Sequence, residues 1–337
     1  MRTCLFQVFF FFSTHSRVLY AKLYRRYFIF RVVENNGRLI TKRFDVMINA
    51  EITAKEDIVN ILYSGDANIR DGVIISALSL ARVVKEPLNI YILTASLEQC
   101  GEFKAALEPE FAPFLENYLK RYNDKLSVKV IDISDSFNKE LPVANVDTRF
   151  TPFCMLRLFA DEVDELPSKI LYLDNDVICR SDPSDFYHQS MEGISLAGVL
   201  DYYGSWFFRQ KFYKRDYLNS GVLLLNLEEI TKTGLFAEAK RLCITKKMFM
   251  PDQSALNKLC KNKKICDRRY NEQRRLARDT VFQHFTTGFR FFPYFHTVSV
   301  KPWNIDAVHK VLKLKEYDLI LNEYLEIKNT YKRILKQ

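Results

Sequence analysis

Asp174 and Asp176, separated only by Asn175, are the residues of this sequence best suited to hold a metal ion. Two carboxylates this close repel each other, and a divalent cation bound between them relieves the repulsion. Carboxylate oxygens are hard ligands, which favours magnesium or manganese. An Asp-x-Asp pair alone is a weak signal, because solvated strand ends and loops contain many. The pair therefore predicts a metal site only together with the elements that position it.

A predicted strand leads directly into this pair. The residues from Ile170 to Leu173 are all apolar, which is typical of a strand covered on both faces of a parallel sheet. In open α/β sheets, ligands bind outside the carboxyl ends of the strands. Asp174 and Asp176 are therefore predicted to lie where a ligand is expected.

The chain around this pair alternates between predicted strands and helices. Strands are predicted at 58–64, 88–93, 126–133, 170–173, 195–200 and 222–225, and helices over 74–84, 103–118, 152–165 and 228–243. This order predicts an α/β fold with a mainly parallel central sheet flanked by helices. The sequence contains no glycine-rich phosphate loop of the Walker or dinucleotide type.

Further polar residues lie where these predicted elements begin or end. They are Asp66 and Asn68 after the first strand, Arg157 in the helix before the metal strand, Asp201 after strand 195–200, Asn219 before strand 222–225, and Asp252 and Gln253 at a helix start. Arg157 can also be interpreted as a surface residue, and Asp252 as a cap that accepts hydrogen bonds from free N–H groups. Capping leaves the neighbouring Gln253 unexplained.

Taken together, these residues resemble the family 8 glycosyltransferases, retaining enzymes that include bacterial lipopolysaccharide glucosyl- and galactosyltransferases and glycogenin. The matching segments occur in the family's order: 61–68, 155–158, 172–176, Asp201, 219–227, Asp252 with Gln253, and 296–303. The resemblance implies the single-sheet nucleotide-sugar fold called GT-A.

The resemblance also implies a role for each matching residue. Asp174 and Asp176 are similar to the family's metal ligands, with Mn²⁺ the usual ion, Mg²⁺ the alternative and His296 the third ligand. Contacts to uridine are implied for Asp66 and Asn68, contacts around the donor sugar for Arg157, Asp201, Asn219 and Asp252, a diphosphate contact for Lys301, and a position beside the anomeric carbon for Gln253. Asp201, Asp252 and Gln253 are the expected catalytic residues.

The sequence departs from the family at the third metal ligand. The family usually has a histidine, then an aromatic residue and a glycine, with five residues before the lysine. Only four residues separate His296 from Lys301, and none is glycine. His284 is followed by Phe285 and, three residues later, by Gly288, but it lies far from Lys301 in the chain. We prefer His296 and keep His284 as the alternative.

The implied activity is that of a retaining, metal-dependent hexosyltransferase. It moves glucose or galactose from a UDP-sugar to a hydroxyl group, with a lipid-linked lipopolysaccharide or lipooligosaccharide glycan as the expected acceptor. The alternatives are a soluble or protein acceptor and non-catalytic binding of a nucleotide sugar. A metal-dependent phosphoesterase would need further Asp or His ligands for a second ion, and the sequence offers no compact cluster of them.

Charge is distributed unevenly along the chain. Residues 1–46 carry nine Lys or Arg against two acidic residues, 261–300 nine against three, and 301–337 eight against five, so the rest is acidic although the net charge is +9. An acidic body with basic ends argues against a nucleic-acid groove and favours docking on an anionic membrane. We predict a basic, aromatic extension over 1–46, the GT-A domain over 47–304 and a basic amphipathic helical tail over 305–337.

The expected location is the cytoplasm, with peripheral contact to the cytoplasmic face of the inner membrane. The apolar run from Leu5 to Phe12 is far shorter than the roughly 20 residues of a membrane span. It also lacks the cleavage site of a signal peptide. Residues 1–46 are interpreted as a flexible arm, or as an upstream extension with Met47 as an alternative start, rather than as an anchor. The seven scattered cysteines favour a reducing compartment.

Overall fold

The computed structural model describes residues 17–24, 27–33, 39–45, 57–99, 101–146, 151–203, 216–290 and 296–335. The chain divides into two compact units, Met1–Glu56 and Asp57–Gln337. The first unit contains an antiparallel sheet of three consecutive strands, β1 (Arg17–Tyr24), β2 (Tyr27–Val33) and β3 (Leu39–Asp45). The predicted apolar run from Leu5 to Phe12 and the alternative start at Met47 lie outside the described residues.

The second unit carries the remaining described elements. Its strands are β4 (Val59–Ser64), β5 (Leu88–Thr94), β6 (Leu97–Gln99), β7 (Glu102–Lys104), β8 (Leu126–Asp132), β9 (Lys169–Leu173), β10 (Val177–Cys179), β11 (Leu196–Leu200), β12 (Leu218–Asn226), β13 (Lys263–Ile265), β14 (Phe282–His284), β15 (Gly288–Arg290) and β16 (His296–Val298). Its helices are α1 (Arg70–Val83), α2 (Phe111–Leu119), α3 (Ser134–Lys139), α4 (Ser184–Tyr187), α5 (Leu227–Thr233), α6 (Leu235–Thr245), α7 (Pro251–Leu259), α8 (Ile305–Ala307) and α9 (Asp318–Ile334), with 3₁₀ turns and a π turn at Val308–Leu312 between them.

A seven-stranded sheet in the order β13-β11-β12-β9-β4-β5-β8 forms the centre of the second unit. β12 runs antiparallel to both of its neighbours, and the other adjacent pairs in this sheet are parallel. Successive residues of a strand point to opposite faces, so Ile61 joins the core on one face and Leu62 the core on the other. The predicted α/β fold with a mainly parallel central sheet is confirmed.

Helices cover both faces of this sheet. Buried side chains of α1, α2 and α9 form the core on one face. Those of α6, α7 and a 3₁₀ helix at Pro152–Glu162 form the core on the other. Burial on both faces is why the strands read in the sequence as continuous apolar runs rather than as alternating ones.

Three predicted helices differ from those in the structure, and the one over 152–165 is a 3₁₀ helix at Pro152–Glu162. In place of one helix over 103–118, the chain forms a β6–β7 hairpin and starts α2 only at Phe111. Pro109 explains the late start, because a proline disfavours helical backbone in the residue before it. The helix predicted over 228–243 is divided into α5 and α6 by Gly234, whose φ of 67° ends a helix.

The predicted amphipathic tail forms α9, which packs its apolar face against the rest of the second unit. The apolar face of α9, including Leu321, Tyr324 and Ile327, is buried in the core beside α1. Lys328 Nζ lies 2.6 Å from Asp71 Oδ2 and joins the two helices. No helix among the described residues is both long and apolar enough to cross a membrane.

Candidate active site

The candidate residues assemble at the carboxyl edge of the central sheet. Asp66, Asp174 and Asp201 follow the ends of β4, β9 and β11. Because β12 runs in the opposite direction, its first residues reach the same edge, and Leu218 pairs with Leu200. Asn219 therefore lies beside Asp201, as the topology of one reversed strand requires.

Asp174 is held at the end of β9 by three contacts. Its backbone N–H donates to the Gly221 carbonyl at 2.8 Å. Its Oδ1 accepts hydrogen bonds from the Tyr172 hydroxyl and from Arg157 Nη2, both at 2.9 Å. These bonds fix the carboxylate so that Oδ2 faces His284, whose Nε2 is 3.7 Å away.

Asp176 is buried, and one of its oxygens is left without a donor. Its Oδ2 accepts a hydrogen bond from Lys301 Nζ, while its Oδ1 accepts none. His284 Nε2 lies 3.2 Å from this Oδ1. Burial alone would raise the pKa of Asp176, but the positive charge of Lys301 beside it holds the pKa below its ordinary value. The carboxylate is therefore kept ionised inside the protein.

His284, rather than the preferred His296, completes a group of three possible metal ligands. Ligand atoms of Asp174, Asp176 and His284 all lie within 4.8 Å of one another. β10 pairs with β14, which places Val177 opposite His284 and so brings the imidazole to the aspartate turn. His296 is not part of this group and pairs with Arg290 in a β15–β16 hairpin. The structure therefore brings His284, the alternative, to the two aspartates, and not the preferred His296.

Arg157 is a buried residue and not a surface one. Its side chain is 4% exposed and contacts Asp174 on one side and Asp252 on the other, with Nε 3.4 Å from Asp252 Oδ2. It also donates to the Ser220 carbonyl and lies over the Tyr172 ring. Burial would lower its pKa, but the acidic groups around it raise it. The guanidinium therefore places a positive charge between Asp174 and Asp252.

Asp201 and Gln253 form one hydrogen-bonded arrangement with Asn219. Gln253 Nε2 donates to Asp201 Oδ2 at 2.8 Å, and Asn219 Nδ2 lies 3.3 Å from the same oxygen. Gln253 Oε1 accepts from the Ser220 backbone N–H at 2.9 Å. Both ends of the glutamine amide are therefore used, and its orientation is fixed.

Asp252 is not the cap of α7. The N-cap residue is Met250, which makes no side-chain cap bond. Asp252 is buried, and its Oδ2 accepts no hydrogen bond although Arg157 lies close. Its side chain is thus directed to the site rather than to the helix end.

Asp66 and Asn68 form the turn after β4. Asp66 accepts from the Asn68 backbone N–H at 3.1 Å and from Asn68 Nδ2 at 2.9 Å, and so caps a short 3₁₀ helix at Ala67–Ile69. Asp66 is buried, whereas Asn68 is exposed. A ligand can therefore approach the asparagine directly.

Sequence reasoning missed two features of this site. Asn271 lies in a segment that the sequence marked only by its basic charge. Its Nδ2 donates a hydrogen bond to Asn219 Oδ1 at 2.9 Å. Gly221 leaves room for two of the possible metal ligands, because a Cβ there would lie 2.2 Å from His284 Cε1 and 2.7 Å from Asp174 Oδ2.

Comparison with known proteins gives the family. Residues 60–307 match the model of glycosyl transferase family 8. The chain belongs to this family. A lipopolysaccharide 1,2-glucosyltransferase of Escherichia coli (strain K12) is 27% identical over 311 residues, which cover 83% of this chain and 86% of that protein. Family membership makes the chain a glycosyltransferase and decides against a phosphoesterase.

Solved structures of glycosyltransferases share the fold. The galactosyltransferase LgtC, in complex with donor and acceptor sugar analogs, has a TM-score of 0.53 at 17% identity, over 81% of this chain and 96% of that chain. The bifunctional glycosyltransferase WbbM has a TM-score of 0.58 at 16% identity, over 87% and 56%. GlyE of Streptococcus pneumoniae TIGR4 has a TM-score of 0.54 at 19% identity, over 80% of this chain and 64% of that chain. The expected GT-A fold is confirmed.

Proposed function

We propose that this family 8 enzyme transfers glucose or galactose, with retention, from a UDP-sugar to a hydroxyl of a lipopolysaccharide or lipooligosaccharide glycan. We further propose that Mn²⁺, with Mg²⁺ as the alternative, is held by Asp174, Asp176 and His284. The observation that carries this proposal is the buried Asp176 oxygen without a hydrogen-bond donor, which lies beside two further ligand atoms. A buried carboxylate oxygen is normally paired, and a divalent cation held together with His284 would pair this one.

The residues present fit such an ion. Two carboxylates and one imidazole supply the O, O and N ligands that manganese accepts. The absence of a side chain at Gly221 leaves space that a Cβ would fill, between His284 and Asp174. When bound, the ion acts as a Lewis acid on the donor diphosphate and makes UDP a better leaving group.

Lys301 supplies a second positive charge at the same place. Its Nζ bonds to Asp176 and to the Phe285 carbonyl, and its side chain is one-third exposed. An ammonium held in this way can meet a phosphate oxygen without leaving Asp176. We propose that Asn68, exposed after β4, and Asp66, which fixes the turn, contact the uridine.

The donor sugar is proposed to lie against Asp201, Asn219, Asp252 and Gln253. Gln253 is placed next to the anomeric carbon, and an amide is a poor nucleophile. We therefore propose attack from the face that the phosphate leaves. The bond from the anomeric carbon to the phosphate oxygen breaks, the bond to the acceptor oxygen forms, and the acceptor proton passes to the leaving phosphate. A covalent sugar trapped on Asp201 or Asp252 would contradict this step.

The acceptor class is supported by the relative from Escherichia coli, whose name gives a lipopolysaccharide product. A lipid-linked acceptor suits an enzyme that contacts an anionic membrane. The buried face of α9 is not available for such contact, but Leu325, Ile334 and Leu335 are exposed, as are the basic residues Lys332 and Arg333. Each basic residue near an anionic leaflet adds about 1 kcal/mol.

The experiment for the enzyme activity is a panel of UDP-sugars incubated with the protein and Mn²⁺. UDP release from UDP-glucose or UDP-galactose, rising when a truncated lipopolysaccharide core is added, is the expected result. Tight UDP binding with no turnover on any acceptor would make the chain a nucleotide-sugar-binding protein. Turnover that requires only a soluble sugar or a protein would contradict the lipid-linked acceptor.

Membrane contact is tested by co-sedimentation with vesicles. Binding should require anionic lipid and weaken with salt, because the Debye length shortens to about 8 Å at physiological ionic strength. The double change Lys332→Glu and Arg333→Glu should reduce binding. The matched control is Lys232→Glu, an exposed lysine on α5. Equal binding to neutral and anionic vesicles would contradict the proposal.

A further inference from the structure

Asn271 is a fully buried amide that lies between the metal site and the sugar site. It directly follows a 3₁₀ turn at Arg268–Tyr270, and 1% of its surface is exposed. Its Nδ2 faces Asn219 Oδ1 at 2.9 Å, and its Oδ1 faces His284 Nδ1 at 3.2 Å. An asparagine with both amide atoms used in the interior has one permitted orientation, and its neighbours decide which.

The orientation of the Asn219 amide follows from the backbone N–H group that it contacts. The Gly221 N–H can only donate, and it bonds to the Asn219 side chain at 3.0 Å, so the atom that it meets must be Oδ1. The other amide atom of Asn219 is then Nδ2, which faces the Asp201 carboxylate. A carboxylate only accepts, so both neighbours of Asn219 require the same orientation.

The same logic continues to the imidazole. Asn219 Oδ1 is an acceptor, so Asn271 must present Nδ2 to it and must turn Oδ1 towards His284. An amide oxygen cannot donate, so His284 Nδ1 carries the hydrogen of that bond. The other nitrogen, Nε2, then faces Asp176 Oδ1 at 3.2 Å and Asp174 Oδ2 at 3.7 Å.

We propose that Asn271 is a positioning residue that holds His284 as the Nδ1–H tautomer, with the Nε2 lone pair directed to the ion between Asp174 and Asp176. This inference rests on the proposed metal site. Histidine ligands generally donate their second N–H to a neighbouring acceptor, and loss of that acceptor costs about 10- to 100-fold in metal affinity. Through Asn219, the same chain of bonds connects the metal ligand to Asp201 and thus to the sugar site.

The test is the Mn²⁺ affinity of the full chain, measured from the electron paramagnetic resonance signal of free Mn²⁺. Asn271→Leu removes the acceptor and should weaken binding about 10- to 100-fold. Asn271→Asp keeps an acceptor for His284 Nδ1 but places an oxygen against Asn219 Oδ1, so it should destabilise the fold while retaining affinity within about threefold of the unmodified protein. A merely structural residue would show affinity falling in step with thermal stability in both variants.

Asn123→Leu is the matched control. Asn123 is also a buried asparagine, but it bonds to backbone groups of Val84, Glu86 and Lys125 at the amino-terminal end of β5 and β8. Its replacement should lower thermal stability and leave Mn²⁺ affinity unchanged. Equal Mn²⁺ affinity of Asn271→Leu and the unmodified protein would overturn the inference, as would equal losses in both Asn271 variants.

A measurement on the unmodified protein covers the case in which a variant does not fold. With ¹⁵N-labelled histidine and Mg²⁺ bound, long-range proton–nitrogen spectra should show His284 protonated at Nδ1. A His284 ring protonated at Nε2 would overturn the inference. Absence of Mn²⁺ binding by the unmodified protein would instead contradict the proposed metal site, so the two failures are distinguishable.

Discussion

The two halves of the site, the metal half with Asp174, Asp176 and His284 and the sugar half with Asp201, Asn219, Asp252 and Gln253, differ in what surrounds their buried carboxylates. In the metal half, a buried oxygen of Asp176 has no hydrogen-bond donor. In the sugar half, the Gln253 amide bonds at both ends, to Asp201 and to the Ser220 backbone. Asp252 Oδ2 in the sugar half is also buried without a donor, but among the described residues it is the Asp176 oxygen that lies in a group of three possible metal ligands. An unpaired buried acceptor costs free energy, so we propose that an ion completes the metal half, whereas the Gln253 arrangement is already preorganised. Arg157 contacts Asp174 in one half and Asp252 in the other.

The largest effect is expected in the metal half. Asp176→Asn keeps the shape but removes a charge, so turnover should fall by roughly three orders of magnitude, because metal assistance supplies several kcal/mol and about 1.4 kcal/mol is worth a factor of ten. UDP affinity should no longer depend on Mn²⁺. Titration calorimetry with and without the ion, together with UDP release, measures both. The control Glu162→Gln changes a carboxylate paired with Lys240 elsewhere and should retain activity.

A smaller loss of a different kind is expected in the sugar half. Gln253→Ala removes an amide that holds Asp201, so kcat should fall by roughly 100-fold, comparable to the loss of one preorganised hydrogen-bond donor. Mn²⁺-dependent UDP affinity should stay close to that of the unmodified protein, since the Gln253 side chain bonds to Ser220, Asp201 and Met250 rather than to the three proposed metal ligands. If UDP affinity falls together with kcat, the two halves are not separable.

Gly221→Ala should affect the metal half through sterics alone. The new Cβ would lie 2.2 Å from His284 Cε1, so the ring must move and Mn²⁺ affinity should fall by about tenfold, the lower end of the range for a disturbed ligand. Gly198→Ala is the control, because its Cβ would meet Leu223 Cδ2 at 2.8 Å and the Val222 carbonyl oxygen at 3.2 Å rather than a proposed metal ligand. Comparable Mn²⁺ affinities in both variants would show that the space at Gly221 is not needed.

Strand prediction from the sequence was enough to locate the site residues that directly follow a strand. Asp174 and Asp176 directly follow β9, and Asp201 follows β11, so strand prediction alone brings them to one edge. His284 was ranked second because the β15–β16 hairpin separates it from Lys301 along the chain, although both contact Asp176 in the structure. The pairing of β10 with β14 is what brings His284 to Asp176. Strands of only three residues give little periodic signal in the sequence.

Asn271 was not predictable for a related reason. It lies in an irregular segment, and its importance comes from contacts with Asn219 and His284, 52 and 13 residues away. The fold shows the same limit: the main strands of the central sheet were found, but Pro109 and the hairpin before α2 were mistaken for part of one helix. Local patterns specify elements, whereas contacts between distant segments specify which side chains meet.

We propose that Asp174, Asp176 and His284 hold the divalent ion. The most direct measurement is anomalous diffraction near the manganese edge from crystals grown with Mn²⁺ and UDP. We expect one strong peak within bonding distance of both aspartates and His284 Nε2, with the UDP diphosphate completing the coordination. A peak bonded to His296 instead, or UDP bound in this cleft with no metal peak beside Asp176, would contradict the account.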